Sequence, residues 1–384
     1  MRKVAVLTVG RSDFGRYLPV LRALRDSPGI FLRLLVTGNH FSERLGNTIN
    51  EVSAAGFNWE AGLEMTLASD TPASVGKAIG LGTQSLAQAF AVDRPDLLVV
   101  LGDRYEMVCG PLAALGFGIP VIHIHGGALT EGAIDDAVRH SLTKLSHIHL
   151  VSCEEYARRV RQMGEEAWRV QVVGAPGLDD LASRATMTLA EVSAQAGVEL
   201  GRPTALVCFH PVTLEPGRNK RHISEMLSAL DEIAIQLLFT YPNADLGSDI
   251  IIAAIEKFAA FRPDRTHVIK NAGDRLYANL LKHAVVMVGN SSSGIVEAAS
   301  FALPVVNIGS RQDGKVRAAN VIDVEPEKSA ILSAILRALS SEFREGLHGL
   351  VNPYGDGTAG KRIAAVIGSL EINDRLLRKR FVDL

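Results

Sequence analysis

The sequence predicts a doubly wound α/β protein, with two Rossmann-like parallel sheets whose polar loops face one cleft. Three observations carry that expectation. Short all-apolar runs such as 97–101 (Leu-Leu-Val-Val-Leu) mark parallel strands buried on both faces. These runs alternate with segments whose apolar residues recur at helical spacing. The alternation breaks off in a polar stretch, 188–203, and then starts again, and 384 residues exceed what one ordinary core accommodates. In open sheets of this kind ligands bind outside the carboxyl ends of the strands. The polar loops at those ends therefore define the candidate site.

Residues 3–9 read as the first strand, followed by the loop Gly10-Arg11-Ser12-Asp13-Phe14-Gly15 and a helix over 17–25. A second strand, 31–37, precedes a helix over 41–54. The stretch 64–83 begins polar and rich in Gly, Ser and Thr, which predicts a long mobile loop running into a helix over 78–91. Strand 97–101 ends in Gly102-Asp103-Arg104, with helix 108–116 beyond it. Strand 120–124 ends in His125-Gly126-Gly127, and helix 134–144, strand 147–152 and helix 154–163 follow. After the polar stretch, strand 204–209 ends in His210-Pro211 and strand 237–241 in Pro242-Asn243. A strand over 284–288 enters Gly289-Asn290-Ser291-Ser292-Ser293-Gly294, then a helix over 295–301. Strand 304–308 ends in Gly309-Ser310-Arg311, and helices over 327–343 and 360–370 close the pattern.

Composition excludes several classes of function. A net charge of −2 gives no electrostatic footprint for nucleic acid or an anionic membrane. No apolar run reaches spanning length, and 4–9 is too short for the apolar core of a signal peptide. Cys109, Cys153 and Cys208 are scattered among apolar residues, which suits small buried side chains in a reducing cytoplasm. No metal-ligand spacing is present, and the first strand-to-helix turn lacks G-x-G-x-x-G, so neither a metal nor a nicotinamide cofactor is expected.

The loop 289–294 has two readings. Small residues between a buried strand and a helix present backbone N–H groups and hydroxyls to a phosphate, with Glu297 one turn on for ribose hydroxyls. The same residues also make an ordinary capped helix. Arg11, Arg104 and Arg311 follow strand ends and supply the forked positive charge that a diphosphate needs. Asp103 sits at the end of an apolar strand, as a catalytic carboxylate or a helix cap. His125, Glu131, Asp135 and Asp136 lie within a dozen residues, able to divide acid and base roles or to place negative charge at a helix N-terminus. His210 ends a strand in the second half, where a histidine is an acid/base candidate.

Several of these stretches together resemble the hydrolysing UDP-N-acetylglucosamine 2-epimerases. They are Gly102-Asp103-Arg104, His123-Ile124-His125-Gly126-Gly127, Gly132-Ala133-Ile134-Asp135-Asp136, Arg139-His140, His210-Pro211-Val212-Thr213, Tyr241-Pro242-Asn243, 289–294 and Asn352-Pro353-Tyr354-Gly355-Asp356-Gly357. The resemblance runs from Arg11 to about Ile363, with the motifs in the same order. It implies a GT-B type of fold: an N-terminal domain over 1–178, a C-terminal nucleotide-binding domain over 203–350, and helices over 351–384 that cross back to the first. It implies a homodimer or homotetramer acting on a nucleotide-sugar substrate, with no cofactor. The implied reaction takes UDP-N-acetylglucosamine and water to N-acetylmannosamine and UDP. Close relatives use a nucleotide-linked 2,4-diacetamido-trideoxyhexose.

Carried over residue by residue, Arg11, Arg104, Asn243, Ser291, Ser292, Glu297 and Arg311 match nucleotide-contacting positions. His125 and Arg139 fall in motifs that line the substrate. Asp103, Asp135 and His210 match positions held to do acid/base work. Non-hydrolysing relatives carry Glu where this chain has His125. Many hydrolysing members carry Glu where it has Ala128; either that carboxylate is dispensable or Glu131, three residues further on, substitutes for it.

Overall fold

Alternate residues of the central strands are buried on opposite faces of each sheet, which is why these strands read as unbroken apolar runs. The computed structural model describes residues 1–383 except 43–46, 61–62, 66, 68–70, 131–133, 213–215 and 243–246. One sheet holds β1 (Arg2–Thr8), β2 (Ile30–Val36), β3 (Leu97–Leu101), β4 (Val121–Ile124), β5 (Ile148–Val151) and β6 (Val170–Val172). The other holds β7 (Thr204–Cys208), β8 (Gln236–Thr240), β9 (Thr266–Ile269), β10 (Val286–Gly289), β11 (Val305–Ile308) and β12 (Val321–Val324). Every strand pairing within each sheet is parallel. Val4, Val6, Leu97 and Val99 face one helical layer, and Ala5, Leu7, Leu98 and Val100 the other. In the second sheet Ala205 and Val207 face one core, Leu206 and Cys208 the opposite one.

The chain forms two compact units, Met1–Asp179 with Tyr354–Leu384, and Asp180–Pro353. Within the first unit, the late helix Ala359–Ser369 contributes Ile363, Ala364 and Ile367 to the core built on Phe14, Tyr17 and Leu21. Asp179 caps that helix from a distance in sequence, accepting from the Ala359 N–H at 2.9 Å and the Gly360 N–H at 2.5 Å. A Cβ at Gly360 would lie 2.8 Å from the Pro19 backbone, so glycine is what lets the two helices meet. Arg169 then ties down the tail by donating to the Leu376 and Arg375 carbonyls, both at 2.8 Å. Within the second unit, helix Leu189–Ala196 opens with a capping box between Thr188 and Glu191, and its Val192 packs with Val198, Leu200 and Leu206.

Three local expectations are corrected. The stretch 64–83 is not a long loop up to the helix at 78, because a helix runs over Pro72–Val92, capped by Thr71 with proline in its first turn. The helix expected over 41–54 is a 3-10 turn, Gly38–Phe41, and a short helix, Ile49–Ala54, with Asn47 at φ 47° before it. The helix expected over 295–301 starts earlier and ends sooner: α-helix covers Ser292–Val296, and Ala298–Phe301 is 3-10. Its short length weakens any helix-dipole contribution to anion binding.

Strand order selects which loops matter. The first sheet runs β2-β1-β3-β4-β5-β6 and the second β12-β11-β10-β7-β8-β9. In each, the chain winds one way from a central strand, then returns to build the other side. The reversals fall between β1 and β3, and between β7 and β10, where doubly wound sheets open a crevice at their carboxyl ends. Asp103 and Arg104 leave β3 beside the end of β1; His210 leaves β7 beside the loop that leaves β10.

Candidate active site

At the first reversal, Gly102 turns the chain at φ 81° and presents Asp103. Arg139, buried in helix Ile134–Leu145, donates through Nη2 to Asp103 Oδ2 and, at 2.9 Å, to Thr130 Oγ1. Its Nη1 donates to the Ala128 carbonyl at 3.0 Å and to Asp136 Oδ1 at 3.3 Å, while Asp136 accepts from the Thr130 N–H at 2.7 Å. One guanidinium thus gathers Asp103, Asp136 and the segment after β4. Asp135 is half-buried on the same helix. Burial, and then the Asp103 charge, raise its carboxyl above the ordinary range, with Arg139 and Arg104 opposing. Asp103 is therefore not the cap of the following helix but a partner of Arg139.

Arg104 is held by Glu106, a carboxylate 2% exposed, through Nη2 at 2.6 Å and Nε at 3.2 Å. Asn39 donates to the same carboxylate at 3.3 Å. Behind β1, Asp13 accepts from the Val9 N–H at 2.8 Å and the Thr8 hydroxyl at 2.7 Å, and Thr8 accepts in turn from His40. Arg11 begins helix Arg11–Arg25, exposed, with Glu51 at 3.3 Å; it does not join the Asp103–Arg139 group. His125 takes φ 68° at the end of β4, and its Nδ1 lies 2.6 Å from Ser152 Oγ. Loss of hydration first, then Arg16, pull its imidazole down to about 3, so the ring is neutral. Glu131 lies outside the described residues.

At the second reversal, Asn290 binds the strand end as a paired strand would. Its Oδ1 accepts from the His210 N–H at 2.7 Å and its Nδ2 donates to the His210 carbonyl at 2.9 Å. Arg311 and Gln312 both donate to the Asn290 carbonyl, at 3.1 and 2.8 Å. Ser291 caps the helix Ser292–Val296, its hydroxyl 2.9 Å from Ser293 Oγ, which is itself 2.6 Å from the Tyr277 phenol. Ser291, Ser292 and Glu297 remain partly exposed. Burial, and then the Arg311 charge, lower His210 to about 4. Asn243 lies outside the described residues. His210, Ser291 and Arg311 are thus brought together through Asn290, whose role has no mark in the sequence beyond its place in the loop. Gln312, Glu106 and Asp13, buried polar side chains just past strand ends, carry no such mark either, nor does the partly buried Tyr277.

The buried neutral histidines have a consequence for stability. Burial lowers His40 and His210 to about 4 and His123 to about 3, below the ordinary value near 6.5. A folded value below the unfolded one means the stability is fully present above pH 6.5 and is lost as pH falls toward the folded values. Each such histidine removes up to about 1.4 kcal/mol for every pH unit below 6.5. The urea midpoint should therefore drop steeply between pH 7 and pH 5; a flat midpoint across that range would refute the burial of these rings as neutral species.

Two six-stranded parallel sheets of this topology make the chain an α/β protein of the GT-B type. Its relatives narrow the class. The chain belongs to the UDP-N-acetylglucosamine 2-epimerase family, whose model matches residues 22–368. It is 35% identical over 379 residues to the UDP-N,N'-diacetylbacillosamine 2-epimerase (hydrolyzing) of Legionella pneumophila, covering 99% of each chain. It is also 35% identical to the polysialic acid biosynthesis protein P7 of Escherichia coli, over 92% of this chain and 90% of the relative. Among solved structures, the UDP-GlcNAc 2-epimerase from Neisseria meningitidis bound to UDP-GlcNAc superposes with TM-score 0.80 at 19% identity, covering 96% of this chain and all of that one. No helix among the described residues is long and apolar enough to cross a membrane.

Proposed function

We propose that the protein is a hydrolysing 2-epimerase that converts UDP-N-acetylglucosamine and water to N-acetylmannosamine and UDP. The observation that carries this reading is the grouping of Asp103, Asp135 and Asp136 around the buried Arg139 at the first reversal, in a chain of this family. In the proposed course a base takes the C2 proton as UDP leaves from C1 by anti elimination, which gives 2-acetamidoglucal. Water then adds across the double bond, its oxygen to C1 and a proton to C2 on the opposite face. Asp103, oriented by the Arg139 guanidinium, suits the base; Asp135, whose carboxyl is shifted upward, suits the proton donor. The Ser291–Ser292 loop and Arg311 would hold the departing diphosphate, and neutral His210 offers a lone pair or a proton beside it. Arg11, Arg104 and Glu297 are proposed nucleotide contacts on the same family reading, as are Asn243 and, for acid/base work, Glu131. A homodimer or homotetramer is proposed with them, for sedimentation velocity to measure.

A second reading keeps the chemistry and changes the substrate to a UDP- or GDP-linked 2,4-diacetamido-2,4,6-trideoxyhexose. It is favoured by the Legionella relative, similar along nearly its whole length. Proton NMR of reactions in deuterated water, run separately with each sugar nucleotide, tests both. Free N-acetylmannosamine, UDP and deuterium at C2 are expected from UDP-N-acetylglucosamine. Turnover of the diacetamido substrate alone would move the assignment to the second reading. Epimerised sugar still linked to UDP would make the enzyme non-hydrolysing. No turnover of either without an acceptor would point to a glycosyltransferase.

A further inference from the structure

His123 is fully buried in β4, where an apolar side chain would fill the same space without a hydrogen-bonding requirement. Its two ring nitrogens instead bridge two elements. Nε2 lies 2.9 Å from the carbonyl oxygen of Gly102, the residue whose turn presents Asp103. Nδ1 lies 3.2 Å from the Thr143 hydroxyl, one turn beyond Arg139 on helix Ile134–Leu145. A carbonyl can only accept, so Nε2 carries the proton. In a ring with one proton, Nδ1 is then bare and accepts from Thr143, which draws that hydroxyl away from the Arg139 carbonyl, also 3.2 Å distant. The strand end fits closely around this bridge: a Cβ at Gly126 would come within 3.0 Å of Thr143 Oγ1 and 3.1 Å of His123 Nδ1. His149, the register neighbour of His123 on β5, is engaged separately by Glu165 at 2.9 Å.

We infer that His123 is a positioning residue for the proposed elimination. As the Nε2–H tautomer it ties the Gly102 turn, which places Asp103, to the helix that carries Asp135 and Arg139. The inference rests on the assignment of acid/base work to those residues. It goes beyond them in making a side chain that never reaches substrate set their relative geometry.

The test compares His123→Leu and His123→Gln with the wild-type full chain. Displacement of a reacting group by about 1 Å lowers rates by about a hundredfold. His123→Leu should therefore reduce kcat by about 30- to 100-fold, with KM and UDP affinity within about threefold of wild type. His123→Gln, whose amide nitrogen can sit near the Nε2 position, should recover about tenfold of that loss. Full kcat in His123→Leu, or equal losses in both variants with UDP affinity intact, would overturn the inference. Long-range nitrogen–proton NMR of the wild type reads the tautomer directly and does not depend on a variant folding. A protonated Nε2 with bare Nδ1 at pH 7 supports the bridge, and the opposite tautomer or a charged ring excludes it. If the wild type turns over neither sugar nucleotide, the functional reading fails while the tautomer still decides the bridge.

Discussion

Asp103→Asn should leave UDP affinity within about threefold of wild type while turnover falls at least about a hundredfold, the scale on which a lost acid/base group is felt. The side chain keeps its shape but can no longer take a proton. Arg139 would lose its charged partner at Nη2 yet keep Thr130, the Ala128 carbonyl and Asp136, so the local frame has reason to persist. Nucleotide affinity should survive because the proposed diphosphate grip lies in the other unit, on the loop after β10. Calorimetric titration with UDP beside steady-state kinetics separates the outcomes. Binding and turnover that decline together would make Asp103 a structural partner of Arg139.

The second large effect is expected at Gly289. This residue takes φ 141°, and a Cβ there would lie 2.0 Å from the Cys208 carbonyl oxygen and 2.7 Å from its carbonyl carbon, backbone atoms with no flexible side chain to yield. Gly289→Ala must push the end of β10 off β7. That disturbs the Asn290 N–H bond to the Cys208 carbonyl and the two bonds from Asn290 to the His210 backbone. We expect a stability loss of at least about 3 kcal/mol by urea unfolding, with UDP affinity falling more than about tenfold. Gly197→Ala is the control. It sits at φ 65° and ψ 27° with open space where the new methyl would stand, so only the left-handed backbone opposes it, at about 1 kcal/mol. Equal losses in the two variants would show that the close approach at Gly289 carries no special strain.

Much of this architecture is written locally in the chain. Leu97–Leu101 declares a parallel strand because both its faces are buried, and polar residues resume at once where the strand ends. The Gly-Asn-Ser loop and the Gly102-Asp103-Arg104 turn are legible for the same reason. Strand order is not, since the β1–β3 and β7–β10 pairings join segments far apart in sequence and leave no local trace. Nor is the clamp from Arg139 to Asp103, 36 residues away. The departure from expectation before residue 83 has a physical cause. Gly82 is a packing residue rather than a turn residue, for a Cβ there would meet Cys109 Sγ at 2.9 Å and Met65 at 3.1 Å. Composition counts glycine as a breaker in both roles and cannot separate them.

The first unit is assembled from the two ends of the sequence, with Ile363, Ala364, Ile367 and Leu376 filling a core begun by Val4 and Phe14. During translation the usual sequence of events, in which the amino-terminal domain matures first, is therefore inverted. Asp180–Pro353 emerges as one continuous piece and can complete its sheet while the earlier unit still lacks a helix. The segment bearing Asp103 must wait on the ribosome with its apolar face uncovered until residues 359–376 have left the exit tunnel. A nascent chain stalled before that point should carry a finished second unit and an unfinished first one, the state most open to chaperones and proteases.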